Sequence, residues 1–512
     1  MALNSLGREI PESYAGRKLT GYRDPYSLAA IGMAATRPLR RVNPGGGKLL
    51  GSLAEAIEAS GLRDGMTIST HHALRNGDFL LNAVVAEIAR IGLRGIWIAS
   101  SSVHPVHAEI IPHIRSGVIA GFQCGVNGLI GELASRGELS CPIVVRSHGG
   151  RARAIMEGSV HIDAAFIAAP CCDPCGNMNG YFGPSACGSL GYAQSDALYA
   201  ACVIAVTDNL VPYPAVPISI PQTLVDYVVR VERLGDPEKI VSTTTRITTD
   251  PVGLQIAAYA SQVIEASGLL KEGFSFQTGS GGISLAVADK MRASMRRGGI
   301  RGSFGCGGIT GYFVEMLEEG LFSSLMDVQC FDQEAVHSIG RNRAHQEIGA
   351  DLYANPFNAG AVVNQLDCVI LGATEVDCDF NVNVNTESNG YLLHNTGGHS
   401  DTAAGAKLSI IVAPSIRGRL PIVKDRVTTI TTPGETIGVV VTERGIAVQE
   451  RHGELKEELI RRKLPVKEIG ELQREICKIT GTPRPLQFGD EVVALIEYRD
   501  GSIIDVVRRV KE

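Results

Sequence analysis

At 512 residues the chain is long for one hydrophobic core, and its 44% hydrophobic and 20% charged residues suit an ordinary globular protein of roughly two to four domains. A formal net charge of −6 with no basic block argues against a nucleic-acid or anionic-membrane partner. Twelve cysteines are too sparse for a disulfide framework, MALNSLGREIPES has no basic region leading into an apolar core, and the longest apolar run, ALYAACVIAV (197–206), is about half a bilayer span; a cytoplasmic chain without a membrane segment is expected.

Along the chain, IEASGLRDGMTIST (57–70) reads as a helix end, a glycine turn and a strand. The helical stretch DFLLNAVVAEIARIG (78–92) follows, and LRGIWIASSS (93–102) supplies the next strand. Further strands are expected at VIAGFQC (118–124), PIVVRS (142–147), DAAFIAA (163–169) and DYVVRVE (226–232). The polar, turn-rich GDPEKIVSTTTRITTD (235–250) is a candidate join. Beyond it the opening pattern returns: IEASGLLKEGFSFQT (264–278), the helical ISLAVADKMRASMRRGG (283–299) and IRGSFGCGGIT (300–310) repeat the first copy at offsets of 207 or 208. Strand, turn, helix and strand make a βαβ unit of a mostly parallel sheet. Two copies predict two similar open α/β domains, residues 1–240 and 241–512. Strands LDCVILG (366–372), LSIIVAP (408–414) and IGVVVT (437–442) follow as continuous apolar runs, and Asp500-Gly501 lies between two alternating runs as a hairpin turn.

The turn Gly279-Ser280-Gly281-Gly282 ends a strand and opens a helix, where α/β sheets bind ligands and free N–H groups favour an anion or a developing oxyanion. It is not a Walker A loop, since Gly-Lys-Ser/Thr is absent. Ser284 stands where a dinucleotide fingerprint has Gly or Ala, and GCGGIT (305–310) misses in the same way, which weakens a dinucleotide-dependent oxidoreductase. Glycines that merely permit tight turns are the bland alternative. Two such turns at adjacent strand ends favour a site.

QTGSGGISLAV followed by GCGGITGYFVEMLEEGL resembles the second half of coenzyme A transferases, and DAAFIAAPCCDPCGNMNG (163–180) the strand and turn of their first half. With SHGGRARAI (147–155), CGSLGYA (187–193), LVPYP (210–214) and FNVNVNTESNGYLLHNTGGHSDTAAGAKLSIIVAPSIRGRLP (380–421), the chain is similar over nearly its whole length to the citrate lyase α-subunit family. That resemblance implies exchange of acetate for citrate on the thiol of a CoA-like prosthetic group carried by a small acyl carrier γ subunit. A β subunit then cleaves the citryl thioester, within a multimeric complex. It implies no metal and no cofactor bound by this chain. Citramalate lyase's transferase subunit is the near alternative, and a non-catalytic scaffold for a carrier the distant one.

Such an exchange needs oxyanion donors, for which the backbones of Gly281, Gly282, Gly307 and Gly308 are the candidates, beside Gln277 and Ser280 in the same turn. A tricarboxylate needs cations, and Arg151, Arg153, Arg417 and Arg419 follow strand candidates. His71 and His72 match Thr278 and Gly279 of the second copy, with substrate contact and packing both open. His399 and Asp401 in GGHSDTA are candidates for lining the site; as sequence neighbours with Ser400 they cannot form a relay among themselves. CCDPC (171–175) has no second ligand pair at zinc spacing. Covalent CoA transferases use a glutamate in Glu-Asn-Gly, whereas Glu387-Ser388-Asn389-Gly390 carries an extra serine. Glu387 is therefore a relic, a polar site residue or a nucleophile.

Overall fold

The computed structural model describes residues 2–14, 17–24, 47–241 and 245–511. Its first large sheet is built from β1 (Leu49–Leu50), β2 (Thr67–Ser69), β3 (Ile96–Ile98) and β4 (Ile119–Phe122). After β5 (Ile143–Arg146), which lies elsewhere, β6 (Ala164–Ala168), β7 (Cys202–Thr207) and β8 (Tyr227–Arg230) complete it. All its pairings are parallel, in the order β1-β8-β7-β6-β2-β3-β4.

The second sheet takes β9 (Phe276–Thr278), β10 (Gly302–Ile309), β11 (Phe322–Cys330), β12 (His345–Glu347), β13 (Cys368–Leu371), β14 (Leu408–Val412), β15 (Val439–Thr442) and β16 (Gly445–Val448). Its order is β12-β11-β10-β9-β13-β14-β15-β16, antiparallel only in the last pair. Setting β9 upon β2 and β13 upon β6 makes β10 and β11 fall on β3 and β4, and β14 and β15 on β7 and β8, so the sequence repeat is a repeat of topology that leaves out the edge strands β1, β12 and β16. In each sheet the chain builds outward one way from β2 or β9 and then reverses at β6 or β13. The crevice at that reversal, outside the strands' carboxyl ends, is where open α/β sheets take ligands.

Why these segments fold so is visible in their burial. Every residue of β6, β7, β13 and β14 is buried, as strands covered on both faces must be. Helix α1 (Leu80–Ile91) buries Leu80, Leu81, Val84, Val85 and Ile88, one stripe at helical spacing, each worth about 1.5–3 kcal/mol for a full apolar side chain. Gly92 ends it in the left-handed region, donating to Ala89 and Ile88 carbonyls. Helix α2 (His148–Met156) starts from a Ser147 cap. In α3 (Pro251–Ala266), Asp250 caps and Pro251 starts the helix that leads out of the expected join; residues 242–244 of that join lie outside the described residues. Helix α4 (Gly282–Gly298) crosses from β9 to β10, and α5 (His399–Gly405) precedes β14.

The hairpin forms as expected, with Gly501 at φ +93 and Asp500 Oδ1 accepting from Ser502 N at 2.9 Å. Its strands β17 (Phe488–Glu497) and β18 (Ile503–Val510) are antiparallel, and β17 pairs in parallel with β5. The first large sheet draws its strands from residues up to Arg230 and the second from Phe276 onward, and the C-terminal hairpin returns to pair with β5. CCDPC builds a turn: Asp173 Oδ1 accepts from the N–H groups of Cys175, Gly176 and Asn177 at 2.8–3.2 Å. Among the described residues no helix is long and apolar enough to cross a membrane.

Candidate functional site

At the reversal point of the first sheet, β2 runs out through Thr70 into His71 and His72. Ser101, just beyond β3, accepts the His72 N–H at 3.0 Å and lies 2.6 Å from its Nδ1. The His72 ring stacks on Tyr192 with centroids 4.7 Å apart and stands 5.3 Å from His104 and 5.8 Å from His148, while His148 lies 4.3 Å from Tyr192. Burial, reinforced by the neighbouring imidazoles and Arg75, holds His72 well below the usual range. Burial also takes His104 and His148 down to about 3, helped by His107 and Arg75 in the first and by Arg151 in the second. At neutral pH these rings are uncharged hydrogen-bonding groups. His71 is buried too and is likewise lowered by burial.

At the second sheet's reversal the same position carries almost no side chain. Gly279 donates to Ile370 O at 3.0 Å, and α4 starts after Gly281 with no side-chain cap. A Cβ added at Gly281 or at Gly372, which follows β13, would meet nothing within 4 Å. The first N–H groups of α4 therefore have no side-chain acceptor from the protein. Half-buried Ser280 sits in the turn. At Gly282 a Cβ would press on the Arg246 carbonyl at 2.8 Å.

One strand over, β10 is bulged between Gly307 and Gly308, and Gly307 is at φ +94. Gln277 fills the space a Gly307 side chain would take, and Phe331 the space at Gly308. Gln277 itself is anchored at both ends of its amide: Nε2 donates to Tyr353 Oη at 2.8 Å and Oε1 accepts from Cys306 Sγ at 3.2 Å. These two bonds hold the strand end and leave one N–H and one lone pair of the amide unused.

The segment 394–401 ties the two ends together. Asn395 Nδ2 donates to Ser101 O at 3.1 Å, Gly397 O accepts from His148 N at 2.9 Å, and Gly398 packs on Tyr353. His399 has both ring nitrogens engaged, Nδ1 2.7 Å from Thr432 Oγ1 and Nε2 2.9 Å from Gly372 O, and burial lowers it to about 4. Asp401 accepts from Ser147 Oγ at 2.8 Å and Gly149 N at 2.9 Å, at the start of α2, and burial raises its pKa. A further tie is Gln329 of β11, whose Nε2 donates to His72 O at 2.8 Å.

The arginines separate into two kinds. Arg151 meets Asp196 through two bonds of 2.8 and 2.9 Å and Ala99 O at 2.7 Å, and Arg153 pairs with Glu157 and Glu497. Both are buried structural cations. Arg417 and Arg419 are exposed on the hairpin after β14, with Arg417 reaching Ala373 O at 3.4 Å beside Gly372. Glu387 is exposed and accepts from Asn389 Nδ2 at 3.1 Å. Among the described residues one trio has donor atoms close enough for a metal, Asp327, Cys330 and His345. It is wholly buried and bonded within itself, since His345 Nε2 and Cys330 Sγ each lie 3.0 Å from Asp327 Oδ2.

Sequence reasoning missed His104, His148 and Tyr192, which come from three separate segments and converge only in space. For His148 and Tyr192 the one sequence signal was that SHGG and LGYA sit in glycine-rich stretches; His104, in SSVHPVH, had none.

The family model described as "Citrate lyase, alpha subunit (CitF)" matches residues 46–510. The citrate lyase alpha chain of Klebsiella pneumoniae is 49% identical over 465 residues, 91% of this chain and 92% of that one. That of Escherichia coli (strain K12) is 48% identical over 466 residues, 91% of each. A crystal structure described as an alpha subunit of citrate lyase from Streptococcus mutans in complex with citrate superposes with a TM-score of 0.95 at 49% identity, covering 99% of this chain and 100% of that one. The malonate decarboxylase alpha subunit of Acinetobacter baumannii shares the fold, with a TM-score of 0.63 at 17% identity over 84% of this chain and 93% of its own.

Proposed function

We propose acyl exchange between two facing sheet ends as the chemistry of this chain, which belongs to the citrate lyase alpha-subunit family. It is an enzymatic subunit with CoA-transferase activity, exchanging the acetyl group of a thioester for citryl. The observation that supports the mechanism best is the start of α4 at Gly281, which has no side-chain cap, together with the neutral histidines at the end of the first sheet, the two ends being tied by the segment 394–401.

In the first step a citrate carboxylate oxygen attacks the acetyl thioester carbonyl; the C–S bond breaks, leaving acetyl citryl anhydride and a thiolate. The thiolate then attacks the citryl carbonyl of the anhydride, and the anhydride C–O bond breaks to release acetate. No proton is gained or lost overall. Each tetrahedral intermediate puts negative charge on one oxygen, which we assign to the N–H groups at Gly281 and Gly282 and at the Gly307–Gly308 bulge; one such donor is typically worth about 2.7–4 kcal/mol. His72 and His148 offer hydrogen bonds without offering protons, which leaves the thiolate nucleophilic. Holding acid and thioester together contributes up to about 7–11 kcal/mol.

His399 and Asp401 act as positioning residues in this scheme: the first pins the strand end at Gly372, the second the start of α2. The thioester is carried by a CoA-like group on an acyl carrier subunit, and a β subunit consumes the citryl product. The test is to supply the isolated chain with acetyl thioester and citrate and to look by mass spectrometry for citryl thioester and free acetate in equal amounts. Finding neither at saturating substrates overturns the proposal.

A further inference from the structure

Arg75 opens the turn Arg75–Gly77, three residues after His72, with its backbone at φ +52, where L side chains are rarely found. Its guanidinium lies over the Phe331 ring, 4.9 Å from the centroid, and Phe331 in turn packs on the bare backbone of Gly308. It makes one long hydrogen bond, from Nη1 to Ile240 O at 3.3 Å. Among the described residues no carboxylate pairs with it. This sets Arg75 apart from Arg146, Arg151 and Arg153, each of which meets an aspartate or glutamate.

Among the described residues carboxylates enter this region only at a distance: Glu387 acts on His394, and Asp327 and Asp401 on Tyr192, two groups that Arg75 also reaches, and none of the three is bonded to the guanidinium. His72 and His104 are within its electrostatic reach and neutral, and Tyr192, also within reach, has its phenol raised by burial above its usual value. A half-buried cation in such surroundings is costly unless a ligand supplies the opposite charge. The planar fork of a guanidinium fits two carboxylate oxygens.

We infer that Arg75 holds a carboxylate of the acid substrate other than the one that reacts, and so selects acids bearing at least two carboxylates. The inference rests on the acyl-exchange reading above. Anionic oxygens also occur in the phosphates of the thioester carrier, and the experiment separates the two sources.

The test compares Arg75→Gln with the unmodified chain in three measurements: incorporation of isotopically labelled acetate into acetyl-CoA, conversion of acetyl-CoA by citrate, and citrate binding by calorimetry. Acetate exchange uses the reacting carboxylate alone. Loss of a charge-assisted contact should lower kcat/KM for citrate and citrate affinity about 10- to 100-fold. Acetate exchange and the KM for acetyl-CoA should stay near their original values, and Arg75→Lys should recover part of the loss. A rise confined to the KM for acetyl-CoA would assign Arg75 to a phosphate and overturn the inference, as would equal losses with acetate and citrate or unchanged citrate binding. If the unmodified chain catalyses neither exchange, the reaction reading fails, and calorimetry still decides whether Arg75 binds citrate.

Discussion

The two sheets share the order of six matched strands, yet their reversal points are furnished in opposite ways. At the first, β2 ends in His71 and His72, and the space is filled by imidazoles and Tyr192. At the second, β9 ends at Gly279 and the neighbouring Gly281 and Gly372 face open space. A duplicated scaffold thus carries two kinds of hydrogen-bonding surface at its reversal points: uncharged side chains in one copy and bare backbone in the other. Thioester exchange needs both, because the oxyanion is best met by fixed N–H groups while the two reactants must be gripped by shaped side chains.

The contrast is broken most directly on the backbone side. Gly281→Val should lower transfer about 10²-fold, the loss of roughly one oxyanion donor, with an unchanged thermal midpoint, because the space around Gly281 is empty. Gly308→Val should lose activity and stability together, since its side chain would overlap Phe331. Unfolding of the Gly281 variant in a thermal melt would make that glycine structural and remove the contrast.

The side-chain end should show itself in stability against pH. His104 and His148 have ordinary values of 6.5 when unfolded and about 3 when folded. Their contribution is therefore complete above about 6.5 and is lost as pH falls towards 3, with a slope of about 1.4 kcal/mol per pH unit for each imidazole. His148→Gln should remove one such share of the slope in denaturant titrations between pH 6 and pH 4. An unaltered slope would mean that His148 is already charged in the fold.

A smaller effect is expected at Glu387. It is exposed and bonded to Asn389, so Glu387→Gln should keep more than roughly a tenth of the rate, having lost at most one electrostatic contact. EDTA should have no effect, since neither step needs a metal.

Much of the fold was legible because its causes are local. Apolar runs such as DAAFIAA and LSIIVAP specify buried strands, and the recurrence of IEASGL specifies the duplication. The glycine turn at 279–282 was legible for the same reason. Arg151 and Arg153 were not: whether an arginine faces substrate or a buried acid depends on Asp196 and on Glu497, which the fold brings in from far along the chain. His399 was equally opaque, because its partners Gly372 and Thr432 lie on other elements. The signal that an arginine is available is the lack of an acid beside it, and that is a property of three dimensions.

If both sheet ends act on one substrate pair at once, acid and thioester must be bound together before any bond is broken. Initial rates measured with both substrates varied decide this. The account predicts intersecting reciprocal lines and no loss of activity when borohydride is added after acetyl-CoA alone. Parallel lines, with borohydride inactivation and a mass label on Glu387, would contradict it and make the reaction a covalent relay through that carboxylate.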